Sequence, residues 1–254
     1  MTKADQLLAG YQKGDIDILV LPEMAFTGYV FKTCQEIEPY LEDASNGPSV
    51  LWAKRQAIRL SCYVVVAYPE RYVDGDNIKL YNSQCFVNRQ GELIKTYRKS
   101  FLYETDEHWA SEGPGFETID IPELGKVGLA ICMDINPYQF KTDFYDFEFG
   151  HYHSEAKTDI ILCSMAWLKN DTKGNDTVMD TINYWALRLL PLMRQSVESD
   201  HQHHTLFVAC NRIGSERGST FAGGSSILDL SHSDKAQLLG HMGWNEEGVL
   251  LVES

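Results

Sequence analysis

The chain has 254 residues, 44% of them hydrophobic, enough for a sizeable core, and one domain over 1–254 is expected. Its 36 acidic side chains outnumber 22 basic ones, giving a formal charge of −14. That balance argues against nucleic acid and anionic membrane surfaces as partners, and is otherwise ordinary for a soluble protein.

The opening stretch, MTKADQLLAGYQKGD, has neither the apolar core of a secretory signal nor the Arg/Ser-rich, acid-free character of a transit peptide. Residues 2–11 read instead as a helix with Leu7, Leu8 and Tyr11 on its inner face. IDILVLPEMAFTGY then gives an apolar strand, Ile16 to Leu21, that stops at Pro22 and Glu23. A carboxylate directly after a buried strand lies at that strand's C-terminal edge, where sites gather in α/β folds. Residues 48–60 have a helical apolar pattern, with Pro48 suited to the first turn. They lead into CYVVVAYPE, a strand dense in β-branched residues. The DGD of YVDGDNIKL reads as a turn, since it lacks the other ligands of a calcium loop. YNSQCFVN, the turn NRQG and ELIKTYRK form a hairpin. It delivers Arg98 and Lys99 to an irregular stretch, SFLYETDEHWASEGPGF, whose aromatic and acidic residues could wall a pocket.

In GKVGLAICMDINPY, residues 125–138, Val127, Leu129 and Ile131 alternate with small residues as a short buried strand that runs into Cys132. A thiol placed where the backbone turns away from a core strand can meet unpaired N–H groups, which stabilise both a thiolate and an oxyanion. Residues 138–156 are helical in part, KTDIILCSMAW is another buried strand, and NDTKGND is a polar loop. The segment 178–198 is a helix with Pro191 as its kink or stop. Arg188 and Pro191 also interrupt WALRLLPLM, so no apolar run reaches bilayer length. TLFVACNRIGSERGSTFAGGSSILDL gives a strand, a glycine-rich connection and a strand, and residues 236–253 a last pair of strands. Helices alternating with strands early and hairpins later point to an α/β sandwich of mixed sheets with helical outer layers. The six cysteines stand singly, which suits reduced thiols in a cytoplasmic compartment. All but Cys132 read as packing residues.

Glu23, Lys99 and Cys132 thus each end a strand. Acyl transfer by a thiol needs a base to take its proton and positive charge or N–H donors for the oxyanion. Carboxylate, ammonium and thiol meet both needs without a histidine.

The motifs around these residues resemble the nitrilase (carbon–nitrogen hydrolase) superfamily over nearly the whole chain. LPEMAFTGY looks like its base motif, YRKSFLY its lysine motif and GLAICMD its nucleophile motif, while CNRIGSERGSTFAGGSSILD is similar to its late segment. The resemblance implies a four-layer α-β-β-α sandwich with a Glu23–Lys99–Cys132 triad. It also implies a further glutamate beside the lysine, for which Glu107 is the best match and Glu104 the rival. CMDINPYQF, YDFEFGHYH, MAWL and NYWALRLLPLM are similar to the branch of protein N-terminal asparagine/glutamine amidohydrolases of the N-degron pathway. One departure stands out. The family's extra first strand would precede residue 1, so the resemblance leaves room for a sandwich without that strand, and the C-terminal GVLLVES also stops soon after its own.

The activity implied by the resemblance is deamidation of an N-terminal Asn or Gln through a Cys132 thioester, with Lys99 and the N–H of Met133 holding the oxyanion and no cofactor or metal required. Recognition of the substrate α-ammonium needs a carboxylate. Asp134 is the first candidate, followed by Asp106 and Glu104. A homo-oligomer is compatible with this reading, and two alternatives stay open: an amidase for small ω-amides or carbamoyl amides, and a truncated, inactive member that only binds. HQHH (His201, His203, His204) lacks a carboxylate or cysteine at ligand spacing and reads as a solvated loop rather than a metal site. FAGGSS lacks the lysine of a phosphate loop. Trp185, Leu189 and Leu192 read as core or subunit interface.

Overall fold

The computed structural model describes residues 1–169, 177–198, 203–231 and 235–253; the expected polar loop NDTKGND and His201 lie outside the described residues. Two sheets stack face to face. The first has the order β1 (Ile18–Val20), β2 (Tyr63–Asp74), β3 (Asn77–Val87) and β4 (Leu93–Arg98). β1 runs parallel to β2 and the rest are antiparallel. The second sheet uses β5 (Thr118–Ile121), β6 (Gly125–Ile131), β7 (Ile160–Met165), β8 (Leu206–Asn211), β11 (Ser226–Asp229) and β12 (Gln237–His241). Its order is β12-β11-β8-β7-β6-β5, with β6, β7 and β8 parallel. β9 (Ser215–Glu216) and β10 (Ser219–Thr220) form a separate two-stranded ribbon.

Strand alternation decides what each face buries. From the first sheet, Val65, Phe86 and Tyr97 pack inward against Leu129, Ile131 and Leu162 of the second. Val64, Val66, Cys85 and Val87 point the other way, onto Trp52, Ala53, Ala57 and Leu60 of one helix and onto Leu8. The helices are α1 (Thr2–Leu7), the short α2 (Cys34–Ile37), α3 (Pro48–Leu60), α4 (Glu104–Glu107), α5 (Glu148–Ala156), α6 (Val178–Arg188) and α7 (Leu190–Glu198). α3 covers the first sheet, while α5, α6 and α7 place Phe149, Trp185, Leu189 and Leu192 against the second. The result is the expected helix–sheet–sheet–helix order. Pro191 in the first turn of α7 separates it from α6, because a proline lacks the N–H that a continuous helix would bond there. The DGD stretch is the β2–β3 turn.

Two expectations need correction. Residues 236–253 contribute one strand, β12, rather than a pair. Beyond it the chain crosses toward α1 instead of pairing: Glu247 bonds Lys3 at 2.7 Å, and Val249 packs on the apolar cluster around Leu8 and Trp52. The spare cysteines are not uniformly packing residues either. Cys62, Cys85 and Cys163 are buried, but Cys210 is only half-buried and Cys34 is exposed; all six are free.

Where β1 forms the edge of its sheet, the two sheets part around a cavity of about 440 Å³. Ala4, Leu8, Leu19, Leu21, Ala209 and Val249 are among its walls. Among the described residues no helix is long and apolar enough to cross a membrane.

Candidate active site

Pro22 ends the apolar run of β1 and turns the chain across to the other sheet, where the N–H of Glu23 donates to the Met165 carbonyl at 3.2 Å. The side chain of Glu23 is thereby fully buried between the sheets. Lys99, the residue after β4, points into the same space and is also fully buried, while its neighbour Arg98 forks onto Glu70 at 2.7 and 2.9 Å on the other side of the strand. Lys99 Nζ donates to Glu23 Oε1 at 2.7 Å and to Asp106 Oδ2 at 2.6 Å. Asn82 of β3 ties the two carboxylates together, its Nδ2 lying 2.7 Å from Glu23 Oε1 and 3.0 Å from Asp106 Oδ1. An ammonium out of water is tolerated only with such complete pairing. Glu23 Oε2 has no partner and is free to accept a proton.

Cys132 follows β6 at the point where the strand breaks into a tight turn, Cys132–Ile135, and it adopts φ of +40°. A non-glycine residue held in this left-handed region stores local strain, a condition found where a nucleophile is presented on a sharp bend. Asp134 holds the bend. One of its oxygens accepts the N–H groups of Ser100 and Phe101 at 3.0 and 2.9 Å; the other accepts Ile131 N–H at 2.8 Å and the Tyr97 hydroxyl at 2.9 Å. The turn that carries the thiol is thus fastened to the segment that carries the lysine.

The electrostatics follow from burial and pairing. Burial pushes the Glu23 carboxyl above its ordinary value, with Lys99 acting against this and Asp106 reinforcing it. For Lys99 burial works downward, but Asp106 and Glu23 on either side carry it above the ordinary lysine value. Burial, and then the negative field of Glu23, raise the Cys132 thiol well above its usual value; Lys99 and the N–H of Ala166 act the other way. These shifts favour a neutral thiol on Cys132 and a charged ammonium on Lys99. Such an arrangement needs proton transfer to the base during attack, rather than a standing thiolate.

The structure brings Glu23, Lys99 and Cys132 into one electrostatic cluster and redistributes the remaining candidates. The carboxylate beside the lysine is Asp106, not Glu107 or Glu104, which are both exposed on the outer side of α4. On so short a helix one residue of rotation separates an inward position from a solvated one. Asp106 is engaged by groups of the chain itself: Lys99, Asn82, the N–H of Tyr103 at 3.1 Å and the Tyr29 hydroxyl at 3.4 Å. Asp134 is engaged in the same way, its four accepted bonds all coming from the chain itself. Burial lifts it to about 6 in spite of them. Met133 is buried, its sulfur accepting from Asn136 at 3.3 Å. Asn82 escapes the sequence-based expectations. Its one signal is the polar run Asn82, Ser83, Gln84 between Leu80–Tyr81 and Cys85–Phe86–Val87, and all three are fully buried. His203 bonds the Thr158 carbonyl and His204 is exposed; among the described residues no three metal-ligating side chains cluster.

Comparison with known proteins bears on the family and the fold. Residues 1–141 match the carbon–nitrogen hydrolase family profile. The chain is 36% identical to a protein N-terminal amidase of Schizosaccharomyces pombe over 94% of its own length and 87% of the relative's. It is 35% identical to a protein N-terminal amidase of Saccharomyces cerevisiae over 86% of its length, spanning only 47% of that longer protein. A crystal structure of an N-terminal amidase with an Asn-Glu-Ala peptide superposes with a TM-score of 0.82 at 24% identity, covering 97% of this chain and 90% of the other.

Proposed function

Because the chain belongs to the carbon–nitrogen hydrolase family, we propose that it deamidates N-terminal Asn and Gln of proteins and peptides to Asp and Glu, releasing ammonia. The observation that carries this reading is the buried Glu23–Lys99–Asp106 cluster with Glu23 Oε2 unpartnered beside Cys132. The similarity to protein N-terminal amidases supports the choice of substrate. In this reading residues 1–254 act as one domain in the cytoplasm, feeding an N-degron pathway.

Glu23 removes the Cys132 proton as the sulfur attacks the side-chain amide carbon, forming the C–S bond. Lys99 and the backbone N–H of Met133 hold the resulting oxyanion. The C–N bond then breaks while the proton held by Glu23 passes to the leaving nitrogen, so ammonia departs and a thioester remains. Glu23 next takes a proton from water as that water attacks the thioester. The C–S bond breaks, the proton returns to sulfur, and the acid is released. Asp106 keeps Lys99 charged throughout. Asn and Gln differ by one methylene, worth only about 1–3 kcal/mol in a pocket, so both are substrates.

Ammonia release from peptides starting with Asn, Gln, acetyl-Asn and Asp, alongside free asparagine and succinamate, tests the reading. Free Asn- and Gln-peptides should turn over, and Cys132→Ala should abolish the activity in a folded protein. Equal rates on acetyl-Asn peptides, or faster turnover of succinamate, would return the chain to the small-amide hydrolases.

A further inference from the structure

The base sits on an unusual support. Glu23 has its network of charge on one side, but Leu21, Pro22 and Ala25 around it line the cavity between the sheets. Packing from that side is incomplete, so something other than apolar contact must hold the segment. Arg212, just beyond β8, reaches across and donates from Nη1 to the carbonyl of Glu23 at 3.1 Å and to that of Met24 at 2.7 Å. Met24 is itself left-handed, at φ +50°. The N–H groups of Glu23 and Arg212 both donate to the Met165 carbonyl, each at 3.2 Å, so the two segments share an anchor at the end of β7.

The guanidinium is held in turn. Its Nη2 lies 3.6 Å from Glu216 Oε2, and its face lies over the Phe221 ring at 5.1 Å. Glu216 also accepts the N–H groups of Tyr29, at 3.1 and 3.0 Å, and of Val30 at 3.0 Å. Arg217 donates to the Val30 carbonyl at 3.0 Å. Gly28 makes this possible, for at φ +88° any Cβ would lie 2.8 Å from Glu216 Oε1. Two adjacent segments, 23–30 and 212–217, are therefore laced together by groups that never touch the reacting atoms.

We infer that Arg212, braced by Glu216, is the positioning residue that fixes the Glu23 carboxylate against Lys99 and Cys132. The inference rests on Glu23 being the base, as proposed above. Displacing a catalytic group by about 1 Å can lower a rate on the order of 10²-fold. Without the clamp the segment can relax into the cavity, and Glu23 gains solvent.

The test is steady-state kinetics on an Asn-starting tripeptide across pH, with melting temperatures recorded, for Arg212→Met, Arg212→Lys and Glu216→Gln beside Glu23→Gln. Arg212→Met should lower kcat on the order of 10²-fold with KM little changed. Greater exposure of Glu23 should move the acid limb of kcat/KM to lower pH, most clearly in Arg212→Lys, which keeps the cation whose loss in Arg212→Met acts in the opposite direction. Arg212→Lys should recover part of the rate. A mere loss of folded protein would lower the amplitude and leave that limb in place. If Arg212→Met does not fold, Glu216→Gln, which keeps the carbonyl bonds of Arg212 but removes the ion pair and one acceptor for the Tyr29 and Val30 N–H groups, should show a smaller loss and a shift to lower pH. A folded Arg212→Met or Glu216→Gln with wild-type kcat and an unmoved limb, while Glu23→Gln is inactive, overturns the clamp alone. Wild-type activity in Glu23→Gln overturns the base assignment instead.

Discussion

The two sides of the segment that carries Glu23, the proposed base, are built on opposite principles. On one side Glu23, Lys99, Asp106 and Asn82 are fully buried, and each ionised group meets at least two partners. On the other, Leu19, Leu21 and Ala25 face a cavity of about 440 Å³ whose charged groups, Lys3, Glu246, Glu247 and Arg212, stand around a mostly apolar wall. Buried charge tolerates almost no misplacement, because an unpaired ion in the interior is costly, whereas apolar surface near a void loses only dispersion and burial. Geometry that matters to chemistry is therefore fixed by polar lacing. The apolar half only has to hold the sheets together. Substitutions in the first region should be read out as rate, and those in the second as stability.

Lys99→Met should strike hardest. In the proposed mechanism it removes the oxyanion donor, an effect on the order of 10²–10³-fold in kcat. It also leaves Glu23 and Asp106 facing each other with only Asn82 between them. Breaking a buried ion pair by removing one partner typically costs about 3–5 kcal/mol, so the denaturant midpoint should fall as well. A variant with near-normal turnover would show that the cation of this site lies elsewhere.

Asp134→Asn separates a structural carboxylate from a recognition group. Every acceptor bond of Asp134 is spent on Ser100, Phe101, Ile131 and Tyr97, and an amide nitrogen in place of one oxygen would confront donors with a donor. Leaving a buried donor unsatisfied costs roughly 1–3 kcal/mol, so stability should drop by that order. The ratio of rates on free and acetylated Asn-peptides should not move. A collapse of that ratio would put Asp134 back at the substrate ammonium.

Local features and strand-end chemistry are legible in the sequence, and long-range pairing is not. α3 spans 48–60 as its apolar spacing and Pro48 require, and Glu23, Lys99 and Cys132 stand out because each interrupts an apolar run. Asp106 cannot be told from Glu107 in this way, because their local sequence is equally acidic and only the docking of α4 decides which one turns inward. Arg212 and Glu216 look like ordinary charges in a glycine-rich connection. Their partners, from Glu23 to Val30, lie nearly 190 positions away, a separation that no periodicity can register. The last segment reads as a strand from its apolar run, yet Val249 satisfies the same burial by packing beside α1 rather than by joining a sheet.

The mildest perturbation tests the void itself. Ala4 lies on α1, half-buried, with its methyl toward the cavity. Leucine is nearly as good a helix former as alanine, so Ala4→Leu adds apolar volume at little backbone cost. Each buried methylene contributes roughly 0.8 kcal/mol, and partial burial of the new side chain should give about 1 kcal/mol of stability. In a chain of this size that corresponds to a rise in Tm of about 2–4 °C. The kinetics on Asn-peptides should be unchanged, since the added atoms sit across the segment from Glu23 Oε2. A fall in Tm would mean that the sheets close up in solution and leave no room for the leucine. A change in kcat with Tm raised would mean that the cavity wall and the base move together, and that the two regions are not independent.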